Sequence, residues 1–157
     1  MKAHPGAHPT IAAIEQTIEL SAPPERVWRA LTEPEELALW FPDQAEVDLR
    51  PGGNGSWAWD KHGKFAVKFE IVDPPLHLAW RWAHDPKVPV DVGVTTRVEF
   101  TLSRRHDGGT TLRLEETGFT TEEHHTQNVS GWDHELGELV GLLRAEGLGE
   151  RTVGSKE

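Results

Sequence analysis

The order of two hydrophobic periods along the chain restricts the fold more than any other feature. From Ile14 onward, apolar residues return at every second position in one segment after another. Only towards the C-terminus does the spacing lengthen to steps of three and four. Alternation at period two marks strands buried on one face, and the longer steps mark an amphipathic helix. A sheet with one apolar face has to cover it. The one helix long enough to do so comes last. The expected architecture is therefore α+β: a curved antiparallel sheet gripping a long C-terminal helix.

The segments read as follows. Ile14, Gln16, Ile18 and Leu20 share a face of the first strand. Ser21 or Ala22 is expected to cap a short helix carrying Val27, Trp28 and Leu31, with a proline early in it. Leu37, Trp40 and Phe41 form the face of a second short helix, which Pro42 ends. Then come about six strands. Their predicted inward sets include Trp57 and Trp59, then Phe65, Val67, Phe69 and Ile71, then Leu78, Trp80 and Trp82. A hairpin across Arg105–Gly109 pairs Thr96, Val98, Phe100 and Leu102 with Leu112, Leu114 and Glu116, and outward Arg97, Glu99, Arg113 and Glu115 suit ion pairs. Thr120 or Thr121 can cap the last helix. Its stripe is Val129, Trp132, Leu136, Leu139, Val140 and Leu143, and Gly147 and Gly149 are expected to end it. Residues 1–10 read as a tail, 11–148 as a single domain and 149–157 as a polar tail.

Composition narrows the function. Sixteen Lys and Arg against 26 Asp and Glu leave a net charge of −10. Such a surface repels nucleic acid and anionic membranes, and no basic patch offsets it. There is no cysteine, hence no disulfide, thiolate zinc site or cysteine nucleophile. No segment is long and apolar enough for a signal peptide or membrane span, so a cytoplasmic location is expected. No metal or cofactor is expected. His4 and His8 fall in the tail, His124 and His125 point about 100° apart on a helix, and His124, His125 and His134 read as surface residues.

Several motifs together resemble a known family. They are Ser21-Ala22-Pro23-Pro24-Glu25-Arg26-Val27-Trp28 with Ala30-Leu31-Thr32, Trp40-Phe41, Arg50-Pro51-Gly52-Gly53, and Val72-Asp73-Pro74-Pro75 with Leu78 and Trp80. Gly109-Thr110-Thr111-Leu112, Thr117-Gly118-Phe119 and Gly131-Trp132 with Leu136 and Leu139 complete the set. In this order they resemble the START/birch-pollen-allergen-like (SRPBCC) superfamily, in the branch named for the activator of heat-shock protein 90 ATPase homologue. The resemblance implies the helix-grip fold: about seven strands, two short helices after the first, and a cavity between sheet and long helix for apolar molecules. It also implies a chaperone partner and a part in stress response as an alternative.

Tryptophan gives the cavity its candidate wall, since the chain holds seven Trp and five Phe but no Tyr. Trp57, Trp59, Phe65, Val67 and Phe69 are expected to line it from two strands. Trp80, Trp82, Val98, Phe100, Leu112 and Leu114 follow from the next three, and Trp132 and Leu136 from the helix. Trp28 reads as core. Among inward polar residues Gln16, Thr96 and Glu116, the last is a carboxylate on an apolar face. Either it is desolvated and acts as acid, base or anchor, or it lies at the strand end and reaches water, which is the expected case. The functional expectation is a non-catalytic binder of a small hydrophobic or aromatic molecule, as monomer or homodimer. The alternatives are a cyclase-, aromatase- or hydratase-type enzyme using Glu116, Asp60 or His62, and a chaperone-linked interaction module.

Overall fold

The computed structural model describes residues 11–156. The expected tail 1–10, with His4 and His8, lies outside the described residues. The elements are β1 (Ile14–Leu20), α1 (Pro24–Thr32), α2 (Pro34–Trp40), β2 (Gln44–Val47) and β3 (Asn54–Trp59). Next are β4 (Gly63–Asp73), β5 (His77–Ala83), β6 (Thr95–Arg104), β7 (Thr110–Thr117) and α3 (Glu122–Lys156). All seven strands form one antiparallel sheet in the order β1-β7-β6-β5-β4-β3-β2. The first strand thus sits beside the last, and α1 and α2 carry the chain from one edge of the sheet to the other. This is the helix-grip arrangement that the resemblance implies, and it agrees with the order of periods along the chain. No helix among the described residues is long and apolar enough to cross a membrane.

Local chemistry explains the boundaries, with three departures from expectation. Neither Ser21 nor Ala22 caps α1. Pro23 takes that position, and its carbonyl receives the N–H groups of Arg26 and Val27 at 2.9 and 3.0 Å. Pro24 opens the helix at no cost, because its missing N–H would have had no partner. In β4 a bulge between Phe69 and Ile71 shifts the register. It turns Val72, not Ile71, towards the core opposite Leu78. At the far end α3 runs on past Gly147 and Gly149 to Lys156. A helical glycine costs about 1 kcal/mol relative to alanine, and with no proline behind it the helix is not forced to stop. The start of α3 is as expected: Thr121 Oγ1 accepts the N–H of His124 at 3.1 Å, with Glu122 and Glu123 in the first turn.

The two sheet faces differ in kind. Outside, Arg97 donates to Glu70 at 2.8 Å and to Glu99 at 2.9 Å, while Arg81 reaches Glu70 at 3.2 Å. Inside, Trp57, Phe69, Trp80, Phe100, Leu112, Leu114 and Leu139 are almost wholly removed from water. Trp132, Leu136, Leu139 and Leu143 of α3 pack onto that face as its buried stripe. Trp40 fastens α2 to α1 by donating to the carbonyl of Ala30 at 2.8 Å.

Candidate functional site

Where α2 ends, Phe41 enters the interior and becomes the centre of an aromatic cluster. Its ring stacks on Trp132 at 5.3 Å and on Trp40 at 5.1 Å. It meets Trp59 edge-on at 5.2 Å and lies 6.1 Å from Trp82. Trp59 completes the corner, donating to the carbonyl of Phe41 at 3.1 Å and meeting Phe65 at 5.7 Å. Aromatic edges and faces prefer such angled contacts.

The rings do not fill the space between them and α3. A pocket of about 650 Å³ remains, walled by Phe41, Trp59, Phe65, Trp82 and Trp132. Ala83 and His84 close it at the end of β5, and Gln127, Asn128, Gly131, His134 and Glu135 on one side of α3. His62 and His124 complete the rim. Its size and mostly apolar wall with a few polar groups are those of a small-molecule site. A second depression of about 280 Å³, between β1, the β6–β7 turn and α3, is lined largely by charged and polar residues and lacks any aromatic ring.

Behind this wall lies Glu116, fully buried. It does not reach water as expected, because α3 crosses over the end of β7 and covers it. Trp132 Nε1 donates to Oε1 at 2.8 Å, and Trp82 Nε1 donates to Oε2 at 3.0 Å. Thr96 Oγ1 donates to Oε2, and Asn128 Nδ2 reaches both oxygens at 3.1 and 3.0 Å. Indole N–H groups can only donate, so both oxygens serve as acceptors. One carboxylate thereby ties β5 and β6 to α3 and sets the positions of Trp82 and Trp132, the facing walls. Gln16, the other inward polar residue of note, donates to Asp133 of α3 at 2.7 Å.

Two titratable groups on the pocket itself are perturbed. Burial pushes the Glu135 carboxyl up to about 7, helped by repulsion from Glu138 and Asp43. Its Oε2 is buried without a hydrogen-bond partner. His124 is buried, not on the surface, because the loop after β5 folds back and stacks His84 on it at 3.7 Å, with Phe119 at 4.9 Å. Burial holds its imidazole down at about 4, and His84 adds to the effect while Asp85 opposes it.

The structure sorts the expected site residues into two groups. Trp59, Phe65, Trp82 and Trp132 face the pocket, with His62 at its rim. Trp57, Val67, Phe69, Trp80, Val98, Phe100, Leu112, Leu114 and Leu136 do not: they are buried together in the packed core. Asp60 is off the wall and exposed, its backbone N–H bonded to Asp43 at 2.7 Å. Sequence reasoning missed Phe41, His84, His124, Asn128 and Glu135. A signal existed for part of this set, since Asn128, Gly131, Trp132 and Glu135 recur at helical steps along one line of α3.

Comparison with known proteins places these features. The family model described as "Activator of Hsp90 ATPase homolog 1-like protein" matches residues 21–144. Protein MLL2253 from Mesorhizobium loti is similar in structure, with a TM-score of 0.75 at 26% identity, covering 85% of this chain and 97% of that one. CalU16 from Micromonospora echinospora aligns at a TM-score of 0.67 and 29% identity, over 87% and 78% of the two chains. The Aha1 dimer from Colwellia psychrerythraea shares the fold at a TM-score of 0.69 and 22% identity, over 85% and 96%. No curated protein sequence matches the chain.

Proposed function

The chain belongs to the activator of Hsp90 ATPase homolog 1-like family, and within that family we propose that it binds a small, largely apolar molecule in the pocket between α3 and the open end of the sheet. The observation that carries this reading is the pocket of about 650 Å³ with five aromatic walls beside a tightly buried core. Burying apolar ligand surface against such walls contributes roughly 25 cal/mol per Å² before ordering costs.

Binding without chemistry is the form we favour, since of the three expected catalytic residues only His62 borders the pocket. Glu116, the carboxylate nearest the expected catalytic role, has its oxygens engaged by four side-chain donors and lies behind Trp82 and Trp132. Asp60 is not on the wall. Native mass spectrometry of the protein purified from its own host tests the reading. A co-purifying molecule of fixed mass is expected. The bare chain mass, together with unchanged tryptophan fluorescence across a panel of lipophilic compounds, would sink it.

A further inference from the structure

The pocket's charges are one-sided. Among its described lining residues, Glu135 is the sole acid, and there is no lysine or arginine. The bases on the wall are His62, His84, His124 and His134, of which His124 is held neutral by burial. Glu135 stands on α3 one turn beyond Gly131 and Trp132, both on the wall. Its Oε2 is removed from solvent and unpaired. Its Oε1 has only the His134 imidazole nearby, at 3.7 Å and on the exposed side. The other charged groups acting on it, Glu138 on the same helix and Asp43 from the α2–β2 connection, are acids. A buried carboxylate oxygen without a donor is costly. Among the described residues nothing supplies the missing partner.

The aromatic wall supplies the second half of a recognition site. Trp59 meets Phe41 at 87° and Phe65 at 74°, and it is inclined at 50° to Trp82. Rings set at such angles form a corner that offers π faces in more than one direction. A cation over those faces is attracted by the ring quadrupoles. An anionic ligand would face Glu135 with no fixed positive charge to hold it, and the net charge of −10 works in the same direction.

Resting on the reading of this pocket as a small-molecule site, we propose that its ligand is an organic cation. An amine or quaternary ammonium on an apolar body would sit against Trp59, Phe65 and Trp82 and pair with Glu135. The carboxylate and the rings give selectivity for charge, and the remaining apolar wall takes the body of the molecule.

The test compares two probes of one shape, choline and its uncharged isostere 3,3-dimethylbutan-1-ol, by tryptophan fluorescence titration of the intact protein. Choline is expected to bind at least tenfold more tightly, on the order of one well-placed charge interaction. Glu135→Gln, near-isosteric, should cut the preference for choline at least fivefold and leave only the part that the rings supply. Glu138→Gln, which removes an acid off the wall, should leave the ratio as it was. The wild-type ratio should also climb between pH 6 and 8, about fivefold for a tenfold preference, as Glu135 passes from about one-tenth to nine-tenths ionised. Equal affinities for the two probes, or a preference for choline that is undiminished in Glu135→Gln, overturn the proposal. If lipophilic compounds bind but the ammonium gains nothing, only this inference falls. If no compound of either kind changes the fluorescence, the pocket reading falls with it.

Discussion

Glu116 and Glu135 are both carboxylates turned towards the interior, and they have opposite surroundings. Glu116 sits in the sealed half, where two indoles, an amide and a hydroxyl supply its oxygens with donors. Glu135 sits at the open half with a buried oxygen that nothing satisfies. The same division runs along β5: Trp80 is closed in by Trp57 and Phe100, whereas Trp82, two residues on, forms the pocket wall. A polar group whose partners lie within the chain strengthens the fold. One left without a partner costs stability and is free to meet something from outside.

The largest effect should come from the satisfied carboxylate. Glu116→Ala leaves four donors, two of them buried, facing a void and should cost about 3–5 kcal/mol in urea denaturation. Glu116→Gln, which keeps one acceptor, should cost roughly half as much. A loss under about 1 kcal/mol in the alanine variant would break the contrast with Glu135. Next come the two tryptophans. Trp80→Ala should destabilise by about 3–5 kcal/mol through the cavity it opens. Trp59→Ala, partly buried on the pocket wall, should cost less than half of that; equal costs would mean that the two halves are packed alike.

Smaller effects follow from pH, and their signs differ. Glu135 has its pKa raised from 4.5 to about 7 in the folded state. Below pH 4.5 both states hold the proton and no penalty exists; it grows as pH rises and is complete above about 7. Glu135→Gln should therefore gain about 2 kcal/mol over wild type at pH 8 and almost nothing at pH 4.5. His124 moves the other way, from 6.5 down to about 4. Its neutral form supports folding fully above pH 6.5, and that support is lost as pH falls through about 4. Replacing it with Leu should flatten the acid limb by about 2 kcal/mol in thermal or urea unfolding between pH 7 and 4. The smallest effect belongs to the outer face: Glu70→Ala should cost about 0.5–1 kcal/mol, since its arginine partners stay partly solvated.

Strand and helix identities were legible because each period is local, and a face can be counted residue by residue. The bulge at Glu70 was not, since Phe65 to Ile71 alternate without a break and only pairing with β5 exposes the shift. For the site, parity pointed Trp59, Phe65 and Trp82 inward but treated Trp57 and Trp80 the same way. What separates them is the distance of each ring from the end of α3's cover, a tertiary quantity. Glu116 was visible as an inward acid, yet its donors come from β5, β6 and α3, far along the chain. Glu135 sits between Trp132 and Leu136, and in a helical stripe an acid so placed reads as the polar flank. The burial of His124 depends on a loop that returns from β5, which no local pattern announces.

Gly131 provides the most direct test of the central claim that the open half holds a ligand. It lies on the pocket wall, and a Cβ placed there meets nothing within 4 Å. Gly131→Phe should therefore leave the helix intact and put a ring into the pocket. In tryptophan fluorescence titrations with a panel of lipophilic amines and neutral aromatics, the wild type should respond saturably. The variant should lose at least tenfold in affinity at unchanged thermal stability. Equal binding by the two proteins would contradict the account, because the ligand would then lie elsewhere.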